Sequence, residues 1–360
     1  MRVFEVGADR FQEREGLPAQ LPSSGFVWVG CSRAEFEAHL AELQAALQHW
    51  TGSTLFDLHV SDLLNVQLPS HFDYTSGYDL MVFRRLLAGV SGAGGEAAVT
   101  GARAQRALDA IDTSPVGFAV FDRVLLTVHP GDCAVREFFA QRLATLSPGE
   151  MRSTGRMPNS PADLMLRMVN HMVDGYLDLR RQLTRQLGAL QQELLEPKGR
   201  FHDWQLLLAS RNTLHLLEDT CEDQRGAVQE WIDALDEWPA AAEDVAARDR
   251  ELLRLRSRDV LEHIERVLGH VRRLEQSAEA AVQMHFSALG YRTNDIMRTL
   301  TVLTAIFMPL NLITGVFGMN FEFLPLIHTA TGFWISIGMM LVVAIGLATF
   351  FWRRRYLERR

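Results

Sequence analysis

Counting back from Asn311 in steps of three or four residues meets Met308, Thr304, Thr301, Met297, Asn294, Gly290, Ser287 and Gln283. Such steps keep successive residues on one face of a helix. The nine are small, polar or thioether residues, whereas Leu303, Ile306, Phe307, Leu310 and Ile313 mark the opposite faces. Lipid does not solvate polar side chains, so the seam must face protein or water. Two readings follow: the lining of a conduit, or tight helix packing of the kind Thr and Gly favour. They stand level on the residues alone.

The element carrying the seam is a membrane span. Residues 299–321 run without a charge for 23 positions, and residues 329–352 for 24 more. Each exceeds the roughly 20 residues a helix needs to cross the hydrocarbon layer. Basic residues set the orientation. Arg353, Arg354, Arg355, Arg359 and Arg360 follow the second run, while the connection FEFLPLIHTATG has neither Lys nor Arg. Both termini are therefore expected in the cytoplasm and the short loop outside, with Trp334 and Trp352 at the interfaces. Two spans are too few to enclose a conduit, so a pore requires an oligomer.

Nearly all the charge precedes Arg298. A net charge of −8 argues against nucleic acid as a partner. The start MRVFEVGADRFQE has no apolar stretch, so no cleavable signal is expected and the first part of the chain is placed in the cytosol. Cys31, Cys133 and Cys221 form no CxxC pair, which argues for reduced thiols rather than disulfides or zinc. VFEV, GFVWVG, YDLMVFRRLL, VGFAVF and VLLTV read as strands, and Ser32 caps a helix reaching about Thr51. AGVSGAGGEAAVTGA reads as a Gly/Ala-rich connection. An α/β domain is expected. Ser160-Pro161 with Asp163 starts a helix that should reach Glu196 and break at Pro197 and Gly199. A further helix runs to Trp238-Pro239.

Between Pro239 and Pro309 there is no proline. Leu253, Val260, Val267, Leu274 and Ala281 recur every seven residues, with Ile264, Val271 and Ala278 between them and Ser257 as the polar exception. That stripe predicts a long packed helix, a parallel bundle being one arrangement. Continued into the membrane, about 75 residues of helix would reach about 110 Å. The expected organisation is an α/β domain over 1–159, a helical region over 160–239, a stalk over 240–297, a first span over 298–317, an outer loop over 318–332, a second span over 333–352 and a basic tail over 353–360.

The segment Ile306 to Pro325, IFMPLNLITGVFGMNFEFLP, strongly resembles the CorA family of magnesium channels. The resemblance rests on the triplet Gly318-Met319-Asn320, preceded by Phe317 and followed by Phe321-Glu322, at the outer end of the penultimate span, with IFMPL upstream and a basic tail downstream. It is close over Asn294 to Arg360; before that it is one of layout. It implies a funnel-shaped homopentamer in the cell membrane, with the first span of each subunit lining the pore. It makes Asn320 the outer selectivity ring, a metal contact whose loop Gly318 and Met319 shape. Amide oxygens there would grip hydrated Mg2+ without stripping water that it releases reluctantly. Asn311, Met308, Thr304, Met297 and Asn294 fall at the family's pore-facing positions, and Met297 with Leu300 would form a constriction that closes by dewetting. Asp259 becomes a candidate regulatory metal ligand in the cytosol.

Two departures are visible. After Glu322 in the outer loop, the family's second acid is replaced by Leu326, and Gln283 stands at the inner mouth where some members carry an acid. Strict Mg2+ preference is thereby open, and the zinc-transporting ZntB branch, proton-coupled or not, becomes the alternative, although its triplet usually lacks the Met. Co2+ and Ni2+ are further expected cargo. A non-conducting membrane sensor or tether is the remote alternative and needs neither seam nor triplet. His263, His270 and His285 read more simply as packed or solvated helix residues than as ligands. Asp62 and Asp73 lack supporting spacing, and the chain has no GxGxxG, Walker loop or HExxH. Enzyme activity and a resident cofactor find no support.

Overall fold

The computed structural model describes residues 1–7, 10–86, 111, 113–131, 134–145, 157–195, 203–238, 244–319 and 330–353. Two compact units are present, Met1–Ala281 and Val282–Arg360.

The first unit is built on a seven-stranded sheet. Its strands are β1 (Arg2–Val6), β2 (Phe11–Arg14), β3 (Phe26–Ser32), β4 (His71–Tyr74), β5 (Asp79–Arg84), β6 (Pro115–Val120) and β7 (Val124–His129). They lie in the order β2-β1-β3-β7-β6-β5-β4, with only β3 and β7 parallel. Pleating divides β3 between two layers. Val27, Val29 and Cys31 join a core with Phe36, Leu43, Leu47, Val60 and Leu63, from helices α1 (Arg33–Ala38), α2 (Leu40–Thr51) and α3 (Asp57–Leu64). Phe26 and Trp28 alternate with them and are equally buried. Trp28 donates its indole N–H to Thr127 Oγ1 at 3.0 Å, which satisfies the buried donor. Gly25 is held at φ +84°, and a Cβ there would meet the Val6 carbonyl oxygen at 2.1 Å, so only glycine fits the entry to β3.

Ser32 caps α1 as its residue type foretells, accepting from Glu35 N while Glu35 returns a bond to Ser32 N. The expected single helix to Thr51 is divided at His39 (φ −109°). The helix expected from Ser160 to Glu196 is likewise two: α5 (Pro161–Asp174) and α6 (Tyr176–Leu195), parted at Gly175, whose N–H turns back to Val173 O. Gly175 keeps right-handed angles (φ −63°), and a Cβ there would meet the Met172 carbonyl oxygen only at 3.5 Å, so the break does not require glycine. Between the sheet and α5 lies α4 (Ala134–Thr145); after α6 come α7 (Asp203–Glu237) and α8 (Asp244–Phe317). The Gly/Ala-rich connection, Pro197, Gly199 and Cys133 lie outside the described residues. Cys31 and Cys221 are buried free thiols, both pushed up to about 12 by burial.

The heptad stripe of α8 is used within the chain. Leu253, Val260, Ile264, Val267, Val271, Ala278 and Ala281 are all buried in the single subunit. Helix α7 runs antiparallel beside α8, paired from Trp231–Ser257 to Glu218–Arg272. Helix α6 runs parallel to it, through Thr184–His270 and Gln191–Ser277. Ser257 belongs in the stripe because it accepts the Trp231 indole N–H at 3.0 Å and donates to Leu253 O at 2.8 Å.

The second unit holds the remainder of α8 and helix α9 (Ala330–Arg353). Both are long and apolar enough to cross a membrane, with mean hydropathies of 1.9 and 2.2 over their most apolar stretches. The unit therefore provides the two candidate spans that the uncharged runs foretell.

Candidate ion-conduction site

Within the second unit, α8 presents two contrasting faces. Arg298, Val302, Ala305, Ile306, Pro309, Leu310, Ile313 and Phe317 are shielded wholly or in part. On α9 the shielded positions are Gly332, Ser336, Ile337, Met340, Val343, Ala344, Leu347 and Phe351, again at helical spacing. These are the stripes that two helices lying side by side would cover. The polar seam lies on the other side of α8. Gln283, Ser287, Gly290, Asn294, Met297, Thr301, Thr304, Met308 and Asn311 are all exposed in the single chain, Met297 at 56% and Met308 at 69%. Leu300 shares that face and is 54% exposed. The seam is therefore not consumed by packing within one subunit.

Its threonines are arranged alike. Thr301 Oγ1 donates to Met297 O at 2.8 Å, and Thr304 Oγ1 donates to Leu300 O at 2.9 Å. Each hydroxyl proton is spent on the preceding turn, so the oxygen keeps lone pairs for the space beyond. A hydrated cation presents water protons outward, and lone pairs are what such protons require.

The end of α8 explains one member of the triplet. Gly318 N donates to Thr314 O at 2.9 Å and Met319 N to Val316 O at 3.3 Å, which closes the last turn. A Cβ on Gly318 would lie 2.9 Å from the Thr314 carbonyl oxygen, closer than real Cβ atoms approach backbone. Glycine is thus dictated by the helix terminus. Asn320 and Glu322 lie outside the described residues.

Asp259, His263, His270, Asp62 and Asp73 belong to the first unit. The Asp259 carboxylate is 58% exposed and lies 3.7 Å from His263 Nε2. His270 Nε2 is paired with Thr184 Oγ1 at 3.0 Å, in keeping with a packed helix residue. Asp73 lies 3.0 Å from His59 Nε2, and Asp62 lies 3.9 Å from His71 Nε2. The sequence spacing revealed neither the threonine back-bonding nor the close approach at Gly318, since both depend on backbone geometry.

The sheet-based unit is followed in the chain by two helices long and apolar enough to cross a membrane, with Gly318-Met319 just past the end of the first. The chain belongs to the CorA-like Mg2+ transporter protein family, whose model matches residues 98–355. It is 30% identical over 100 residues to the cobalt/magnesium transport protein CorA of Thermotoga maritima, 28% of each chain. It is 45% identical over 60 residues to the putative metal ion transporter YfjQ of Bacillus subtilis, 17% of this chain and 19% of that one. The matched stretches thus span less than a third of these curated relatives. The fold matches the complete structure of the CorA magnesium transporter from Methanocaldococcus jannaschii with a TM-score of 0.73 over 98% of both chains. At 18% identity, that match is one of fold.

Proposed function

We propose that the chain is one subunit of a divalent-cation channel of the cell membrane, carrying Mg2+ first and Co2+ or Ni2+ as further cargo. The observation that carries this reading is the exposed polar face of α8, which runs to Asn311 on the side away from the shielded stripe, on the helix that Gly318-Met319 follows. Five copies would bring five such faces round a common axis. Asn311, Met308, Thr304, Leu300, Met297 and Asn294 then line the conduit in descending order. Asn320 forms the outer ring, Glu322 concentrates cations above it, and Met297 with Leu300 closes the inner constriction when dewetted. Amide and hydroxyl oxygens accept from the ion's water shell, so a strongly hydrated ion passes without complete dehydration. Both termini lie in the cytoplasm, and the membrane potential drives entry, worth roughly 4.6 kcal/mol for a divalent ion per 100 mV.

A zinc-transporting reading is favoured by two residues, Leu326 in place of the outer loop's second acid and Gln283 at the inner mouth. Fewer fixed carboxylates weaken the trap for a hard hydrated ion. The intact Gly318-Met319-Asn320 favours Mg2+.

The pore lining is tested by Thr304→Cys in a Cys133→Ser background, since Cys31 and Cys221 are buried. A charged, membrane-impermeant thiol reagent should modify position 304 and block flux, and Mg2+ should slow the modification. Labelling of Val302→Cys as fast as Thr304→Cys would contradict the orientation of the helix.

A further inference from the structure

The geometry points to a transition-metal site of the Zn2+, Co2+ or Ni2+ class on the facing sides of α7 and α8, formed by His215, Glu218 and Glu275. His215 and Glu218 are three residues apart on α7, so they share a face. Glu275 faces them from the antiparallel α8. His215 Nε2 lies 3.1 Å from Glu275 Oε1, and one ligand atom from each of the three residues lies within 4.8 Å of the others. A metal–nitrogen or metal–oxygen bond of about 2.0–2.2 Å puts neighbouring ligand atoms at that order of separation. One imidazole and two carboxylates leave a fourth position for water, and a nitrogen donor selects a borderline metal over Mg2+. The two carboxylates are only 19% and 17% exposed, so a cation between them is poorly screened by solvent.

Arginines neutralise these carboxylates. Arg272 Nε lies 2.6 Å from Glu218, and Arg211 Nε lies 3.4 Å from Glu275. Each arginine also reaches a second acid one turn away: Arg272 pairs with Glu222, and Arg211 lies 3.9 Å from Glu279. Glu218 and Glu275 can therefore turn to a metal while both guanidiniums keep an acid partner. A plain interhelical ion-pair ladder would need no imidazole at its centre. The inference is independent of which ion the pore carries.

The test uses the whole purified protein, stripped with a chelator and then titrated with Zn2+ by calorimetry and with Co2+ by its visible absorption. One metal per chain should bind, and Co2+ should show the intensified bands of a low-symmetry site with a nitrogen ligand. His215→Ala should weaken that binding by roughly tenfold or more. His215 is half exposed, so the variant should melt as the wild type does without metal. Glu275→Gln, which keeps the side-chain volume, should weaken binding similarly. Asn320→Ala should leave this site intact and so separate it from ions held in the pore. Wild-type affinity in both His215→Ala and Glu275→Gln, or displacement of the bound Zn2+ by equimolar Mg2+, would overturn the assignment.

Discussion

Gly318 is the residue at which the triplet's chemistry becomes a packing argument. Its missing Cβ is what lets the last turn of α8 close on the Thr314 carbonyl. Gly318→Ala should strain that turn by about 1–2 kcal/mol and, on the proposed function, displace the Asn320 ring. Cation uptake should fall at least several-fold while melting of the sheet-based unit stays unchanged, and wild-type uptake would show that the turn does not position the ring. Asp79 supplies a different residue-scale prediction. Its carboxyl lines a cavity of about 850 Å3 beside Asp122, and burial first, then Asp122, pushes it up to about 6. The folded state therefore holds a proton that the unfolded chain has released, and stability falls as pH rises through that interval. His129, pushed down to about 4 by burial, acts in the opposite sense: its contribution is lost as pH falls from its ordinary range towards 4. The two slopes oppose one another over much of the same interval. Asp79→Asn should remove one of them, raising stability at neutral pH by about 1–2 kcal/mol after screening. Its melting temperature should then climb with pH from about 4 to 6 more steeply than that of the wild type. Identical pH profiles would contradict the burial argument.

At the scale of elements, the long helix α8 was the most legible part of the chain. A stripe over several turns and an absence of proline state a helix strongly, and its one polar member, Ser257, turned out to be the acceptor for a buried tryptophan. Ser257→Ala should strand the Trp231 N–H and cost about 1–3 kcal/mol, read as a lower denaturant midpoint with an unchanged slope; no change would mean that Trp231 finds another acceptor. The stripe did not say what it packs against, because heptad periodicity is the same for partners in one chain or in another. Five of the strands were readable as apolar runs. The strands β2 and β4 were not, since four-residue edge strands such as FQER and HFDY carry the charges that protect an edge and are too short for a pattern to stand out. Helices α3 and α4 are short, and their amphipathic signal competes with the neighbouring loops. The division of one expected helix at Gly175 was not legible, because the apolar periodicity continues on both sides of it. The seam itself was legible residue by residue. Its freedom from packing within the subunit was not, because that depends on which face the neighbouring span covers.

For the whole molecule, the account needs an assembly: one exposed seam cannot enclose water, and five can. The purified protein should therefore run as a pentamer by native mass spectrometry, and a monomer or dimer would leave the seam without a conduit. The most direct test is ion flux into proteoliposomes of the whole protein, under an imposed membrane potential and then under a proton gradient, with Asn320→Ala in parallel. The account predicts Mg2+ entry that follows the potential and disappears in Asn320→Ala. Zn2+ entry that follows the proton gradient, with little Mg2+ flux, or Mg2+ flux undiminished in Asn320→Ala, would contradict it.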